Sequence, residues 1–471
     1  MRWKSAAAGL ALLLAAACSA PTVPRAEGTK ATLGGASACA RSSAPTGAMT
    51  PTTVDVIEQA YYCILDNYYS GATLDARKLL LAGFTAMTQE LNRGGRDVPE
   101  AMMPPLTGDR KADWAAFEAA YRKVTDRVPQ LADKLAAATL EAIVAALGDN
   151  HARWTHDDTR SPDYYDGDRY GLGLETNANA GHLAVAVAPL FVTDVVGGAA
   201  QEAGVRPGDV IESADGSATF VNGKPVPPAI AALNPVYPEA RPVELSLLRR
   251  STGRRWTVTL KPGLFTPTPD ALRMVGSKLV DGKVAYVRLR GFATDGATRV
   301  LREITRLRTG RTLTGVVLDL RGNGGGSPVE ATRLVSAFVH GKVTAYQCDV
   351  SGQCDTSRTD DTVELVGLPL IVLTDRDCAS ACEHFSSAIK DNGAGRLIGT
   401  RTAGVISGPA DPWLLSNNTL LTFPSKHHLG PNREVIDGVG VAPDSYVPLT
   451  PADAAAGRDA ALAKALTLLQ E

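Results

Sequence analysis

The chain has almost no net charge. Its 48 Lys and Arg residues nearly balance 50 Asp and Glu, for a formal charge of −2. No basic stripe stands out, and a nucleic-acid partner would need one. Beyond the first residues no hydrophobic run is long enough to cross a membrane. No internal repeat is visible, and no glycine-rich stretch is followed by Gly-Lys-Ser/Thr, so a nucleotide phosphate loop is set aside. Apolar content, at 44%, is ordinary for a soluble protein. A chain of 471 residues exceeds one hydrophobic core, so two or three domains are expected.

The N-terminus reads as an export signal. Arg2 and Lys4 precede an uncharged apolar run, 6–17, too short to span a bilayer. Ala15-Ala16-Ala17 then meet Cys18. This resembles a bacterial lipobox, with Leu14 four residues before the cysteine where three is usual. The resemblance implies a lipidated Cys18 and a place in the bacterial cell envelope, facing the periplasm or exterior; plain secretion is the alternative. Residues 1–18 are thus a signal peptide. Residues 19–52, rich in Ala, Pro, Ser, Thr and Gly, suit a flexible tether. The other six cysteines form an even set, which in an oxidising compartment suggests disulfides. Cys348 and Cys354 flank a short polar turn. Cys39 with Cys63 would pin the tether to the first helix, and Cys378 with Cys382 would brace the segment around Ser380. A zinc site is the rival reading, which the spacings do not favour.

Residues 53–155 read as a helical region. Val56, Ala60, Tyr61, Ile64 and Leu65 recur at helical spacing, as do Leu131, Leu135, Leu140, Ile143, Val144 and Leu147. A loop is expected around 94–108. From Tyr170 the pattern turns to short apolar runs and turn residues: Gly171-Leu172-Gly173-Leu174, then 183–187, then Ala203-Gly204-Val205-Arg206-Pro207-Gly208-Asp209, then alternating strands at 243–247 and 256–260. The order resembles a PDZ domain over 168–263, with another small β-domain as the alternative. The resemblance implies that Gly171, Leu172, Gly173 and Leu174 bind a peptide's terminal carboxylate through backbone N–H groups, the peptide adding a strand to a sheet edge. From Lys283 on, strands and helices alternate, the mark of an α/β layer architecture. Residues 275–448 are assigned to this core and 449–471 to a C-terminal helix.

Two segments carry chemistry. In Asp319-Leu320-Arg321-Gly322-Asn323-Gly324-Gly325-Gly326 a buried strand runs into glycines, which let a backbone turn sharply and aim N–H groups into a cavity. An oxyanion hole needs that, though a structural turn would read the same way. In Cys378-Ala379-Ser380-Ala381-Cys382-Glu383 a serine sits where an apolar strand gives way to a helix. Alone, Ser380 reads at least as well as a helix N-cap. Beside the glycine loop it reads as a nucleophile.

These segments, with Gly399-Thr400-Arg401-Thr402-Ala403-Gly404 and Gly438-Val439-Gly440-Val441-Ala442-Pro443-Asp444, resemble the C-terminal processing (tail-specific) serine peptidases over about 140–448. The resemblance implies an α/β multidomain fold: a crotonase-like α/β peptidase core, a helical N-terminal region and an inserted PDZ-like β domain. It puts the nucleophile at Ser380 and an oxyanion hole at the N–H of Ala381 and one from Gly324 or Gly325. Many members place a general-base Lys where this chain has Val405, which cannot accept a proton. The branch resembling the tricorn protease core and the retinoid-binding-protein homologues has no Ser-Lys dyad and uses a His instead. That His falls on His151, whose ordinary pKa suits proton transfer near neutrality; a plain surface His at a helix end is the alternative. The branch's orienting residues fall on Asn150 and Asp437, which replace the usual Ser and Glu.

Ser387-x-x-Lys390 and His427-His428 compete weakly. The first lacks its companion motifs. In the second, adjacent strand residues point to opposite faces. The resemblance implies a serine endopeptidase acting on polypeptides through an acyl-enzyme, with no cofactor and no metal and with the membrane touched only through the lipid. The alternative is a catalytically inactive peptide-binding lipoprotein of the envelope on the same scaffold.

Overall fold

The computed structural model describes residues 39–42, 44–156, 168–178, 186–238 and 240–471. The signal segment, Cys18, most of the expected tether and Leu183, Ala184 and Val185 lie outside the described residues.

Four helices come first: α1 (Val54–Asn67), α2 (Ala76–Arg93), α3 (Arg110–Arg127) and α4 (Ala132–Ala145). Asp75 and Asp109 cap α2 and α3, each accepting first-turn backbone N–H bonds. Their apolar stripes meet in one core, where Ile57, Tyr61, Leu79, Met87, Phe117, Leu135 and Ile143 are fully buried. Gly83 lets α2 lie close on α4, because a Cβ there would come within 2.9 Å of the Ile143 side chain.

This core is not closed by the helical region alone. Trp413, Leu415, Leu421 and Phe423, expected inside the α/β core, are buried among the helices instead. They come from a four-stranded antiparallel sheet in the order Ala40–Arg41, Ala410–Leu414, Leu420–Pro424, Arg153–Thr155. The reason is apolar area. Large aromatics such as Trp413 and Phe423 gain about 2–3 kcal/mol each on burial, and the helices offer the face that covers them. The same sheet corrects the tether. Residues 40–41 are paired, Thr52 is buried and its N–H is held by Asp133 at 2.9 Å.

The central sheet has six strands, in chain order across the sheet: β1 (Val275–Val280), β2 (Val284–Leu289), β3 (Gly315–Asp319), β4 (Leu370–Thr374), β5 (Arg396–Gly399) and β6 (Ser445–Tyr446). β1 and β2 are antiparallel; the later pairs are parallel. Every residue of β3 and β4 is buried, as a sheet covered on both faces requires. Helices α5 (Gly296–Arg308), α6 (Pro328–Ser336) and α7 (Ala381–Asp391) share a core with one face. Helix α8 (Ala460–Leu468) shares a core with the other through Ala461 and Ala465.

Between the helices and this sheet lies a small β unit. Its antiparallel strands run Arg254–Leu260, Val243–Arg249, Val210–Ala214, Ser217–Ala218 around a separate core that includes Leu190, Ile211, Leu245 and Leu247. Buried Asp209 takes the Arg249 guanidinium with both oxygens, at 2.8 and 2.7 Å. In the 171–174 loop, Gly173 has φ +83° and a Cβ there would stand 1.9 Å from the Gly197 carbonyl, so only glycine fits.

All three disulfides read from the sequence are formed: Cys39–Cys63, Cys348–Cys354 and Cys378–Cys382. The first closes a separation of 24 residues and ties the edge strand to α1. Replacing Cys39 and Cys63 together by Ser is expected to destabilise the helical region by about 3 kcal/mol from loop-closure entropy, read as faster amide exchange across α1.

Candidate active site

Three loops converge at the carboxyl ends of β3, β4 and β5. The first is the glycine loop after β3. Asn323, fully buried, organises it. Its Nδ2 donates to the Leu289 carbonyl (3.0 Å), its Oδ1 accepts the Gly325 N–H (2.9 Å) and its carbonyl accepts the Ala379 N–H (3.1 Å). Gly325 has φ +99°, and a Cβ there would fall 2.7 Å from the Ser380 Cβ and 2.6 Å from the Ala379 carbonyl. The loop therefore lies directly against the turn that carries Ser380, and a side chain at 325 would push the two apart.

That turn is strained. Ser380 sits at φ 56°, ψ −120°, between β4 and α7, a conformation costing a non-glycine residue about 1–3 kcal/mol. Its surroundings enforce it. The Ser380 N–H donates to the Val405 carbonyl (2.9 Å) and reaches the Glu383 carboxylate (3.2 Å). The Cys378–Cys382 bridge spans it from both sides. The Ala403 N–H donates to the Cys378 carbonyl (2.9 Å).

Glu383 was not singled out from the sequence. It is fully buried and accepts four hydrogen bonds, from Thr402 Oγ1 (2.6 Å) and the N–H groups of Gly404 (2.6 Å), Val405 (2.7 Å) and Ser380 (3.2 Å). Burial pushes its pKa up against the pull of these donors.

His151 enters from the helical half, in the turn after α4. Its backbone N–H donates to Asp149 Oδ1 (2.8 Å). Its Nδ1 lies 2.5 Å from Asn150 Oδ1 and 3.1 Å from Ser407 Oγ. Asn150 Nδ2 donates to Asp437 Oδ1 (2.8 Å). A carboxylate only accepts, so this bond fixes the amide with its oxygen toward the ring. The proton then belongs on Nδ1, and Nε2 keeps its lone pair. Burial lowers the His151 pKa; the Asp149 and Asp437 carboxylates oppose that shift.

The segment 405–407 links the two halves. The Val405 carbonyl holds the Ser380 amide, the Ile406 N–H donates to Asp437 (3.1 Å), and the Ser407 hydroxyl donates to Asp149 (2.8 Å) beside the imidazole. From Val405 to Ser407 is at most about 7 Å of chain. The segment thus runs from the Ser380 turn, with Gly324, Gly325 and Ala381 beside it, to the cluster of His151, Asn150 and Asp437; among the described residues no hydrogen bond joins His151 to Ser380 itself.

One expectation is corrected. The Gly325 N–H is already taken by Asn323 Oδ1. Among the described residues, the N–H groups of Gly324 and Ala381 donate to no acceptor, so they remain as free donors. Asp149, Ser407 and Glu383 were missed. An Asp two residues before a His is a readable turn signal; Ser407 and Glu383 take their importance only from tertiary contacts. The competing pairs dissolve. Ser387 Oγ bonds its own helix at His384, while Lys390 reaches the Ala442 carbonyl (2.6 Å). His427 stacks on Tyr69 and His428 is buried against His384.

The model of peptidase family S41 matches residues 283–447. Over 272 residues the chain is 31% identical to carboxyl-terminal-processing peptidase 2, chloroplastic, of Arabidopsis thaliana, covering 57% of this chain and 50% of that one. It is 23% identical over 377 residues to a probable CtpA-like serine protease of Staphylococcus haemolyticus (strain JCSC1435), covering 78% and 72%. The chain thus spans half the length of the plant relative. Among solved structures, a photosystem II D1 C-terminal processing protease aligns with a TM-score of 0.50 at 22% identity, over 84% of this chain and 93% of that one. That likeness bears on the fold.

NMR of the neutral His151 ring should find its proton on Nδ1 and a titration midpoint below 6.5, while Asn150→Ala should redistribute the proton between the two nitrogens.

Proposed function

We propose that this chain, whose residues 283–447 match the model of peptidase family S41, is an exported serine endopeptidase of the C-terminal processing kind, with Ser380 as nucleophile and His151 as general base. The observation that carries the reading is the 405–407 strap, bonded at one end to the Ser380 amide and at the other to the residues around His151.

In this reading Ser380 Oγ attacks the scissile carbonyl carbon and its proton passes to His151 Nε2. Asp437 acts through Asn150 to hold Nδ1–H in place and to favour the imidazolium as it forms. The carbonyl oxygen becomes an oxyanion between the Gly324 and Ala381 N–H groups, each such donor contributing about 3 kcal/mol to the barrier reduction. His151 then protonates the departing amine, and water, deprotonated by His151, releases the acyl group. Val405 offers only its backbone, so no lysine is asked to take a proton. The β unit at 168–263 serves as a PDZ-like module, its 171–174 loop holding a chain end of the polypeptide. Cys18 carries the lipid that keeps the enzyme at the envelope surface.

Fluorophosphonate should label the wild type at Ser380 and leave Ser380→Ala unlabelled; an unlabelled wild type that still binds peptide would favour a non-catalytic binding protein. His151→Ala should lower kcat/KM by about 10²- to 10⁴-fold. The base works as neutral imidazole, so activity rises with pH through the His151 pKa. Burial lowers that pKa, which places the midpoint of the acid limb below 6.5. The Asp437 carboxylate raises it, so Asp437→Asn should move the limb to still lower pH while reducing kcat.

A further inference from the structure

β2 carries Arg288 as its next-to-last residue, and Arg290 follows directly after its end, so two guanidinium groups stand close together in the chain. The Arg290 side chain is only 12% exposed. Its Nη2 and the Nε of Arg288 are buried and take no hydrogen bond among the described residues. The nearest carboxylate to Arg290 is that of Asp270, at 3.9 Å, and it is 78% exposed. Arg288 has the Asp319 carboxylate opposite it on β3; buried guanidinium N–H groups are normally satisfied, so Arg290 forms a cationic recess short of an acceptor.

The recess lies between two parts of the proposed site. Two residues beyond Arg290, the Phe292 N–H donates to the Gly325 carbonyl (2.7 Å), so the oxyanion loop is about 7 Å of chain away. Charges from four elements face Arg290: Arg288 on β2, Asp270 on the short helix Pro269–Leu272, and Arg169 and Glu175 on the two strands that flank the 171–174 loop. Glu175 is already paired with Arg169 (3.6 Å), and Arg169 also donates to the Ala271 carbonyl (3.3 Å). Burial and the neighbouring Arg288 both lower the Arg290 pKa, as expected of a cation held without a close counter-ion.

We propose that Arg290, supported by Arg288 and Arg169, binds a carboxylate side chain of the polypeptide and so makes Asp or Glu near the scissile bond a determinant of cleavage. The inference rests on the peptidase reading. It points to a side chain because a polypeptide has one terminal carboxylate, and the 171–174 loop is assigned to that. A guanidinium fork matches a carboxylate in two parallel hydrogen bonds, which Asn or Gln cannot reproduce.

The test uses paired fluorogenic peptides that differ only by Asp against Asn, at each of four positions on either side of the cleaved bond. Wild type should favour Asp at one or more positions, by on the order of tenfold or more in kcat/KM. Arg290→Gln should bring that ratio close to one, and Arg290→Glu should turn the preference toward Lys at the same position. Arg290→Lys, which keeps the charge without the fork, should retain part of the ratio and serves if the Gln variant does not fold. A ratio unchanged by Arg290→Gln, or no discrimination by wild type at any position, overturns the proposal. So does a free-acid against amide C-terminus ratio that responds to Arg290→Gln in place of the Asp/Asn ratio. If wild type cleaves nothing, the peptidase reading fails by itself. The recess is then judged by anisotropy with the Ser380→Ala protein: an Asp preference in binding that Arg290→Gln removes supports it, and equal binding of both peptides overturns it.

Discussion

The Glu383 carboxylate has no exposed surface, yet it accepts four donors from two parts of the chain. Moving such a group out of water is expensive unless its lone pairs are filled, and here they are filled by three backbone N–H groups and the Thr402 hydroxyl, from the two segments that meet there. One oxygen takes Thr402 and Gly404; the other takes Val405 and Ser380. The carboxylate therefore sets the spacing between the serine turn and the loop after β5, and with it the line along which Val405, Ile406 and Ser407 run toward His151. The strain of Ser380 is tolerable because so many bonds converge on it.

A second constraint is close approach. Gly325 lies on the serine turn with no room for a Cβ, and Asn323 spends both ends of its amide keeping the loop there. The donors that remain, Gly324 and Ala381, come from opposite sides of that contact. In the proposed reaction this would be preorganisation: the dipoles are held by bonds already made, so none would need to reorient as charge develops.

Much of this was legible in the sequence, for identifiable reasons. Helical periodicity located α1 and α4. Continuous apolar runs located β3 and β4, and glycine clusters located the loop after β3. The resemblance pointed to Ser380, His151, Asn150 and Asp437; the fold bonds the last three to one another and connects them to the Ser380 turn through residues 405–407. What escaped were contacts with no local signature. Glu383 reads as an ordinary first-turn helix acid and Ser407 as a loop residue; only folding brings Thr402, Gly404 and Asp149 to them. Residues 410–424 misled for a related reason. Alternation marks a strand but does not say which core its inward face will join.

That last misassignment has a temporal side. The imidazole at 151 rests on a framework whose aromatic filling, Trp413 and Phe423, is among the later parts of the chain to be made. Contacts separated by some 260 positions cannot close until the ribosome has passed them. The serine turn is itself a late part of the chain, and the strands that back the 151 segment are later still. In the proposed reading, serine and imidazole therefore meet only after segments far apart in the chain have folded against each other.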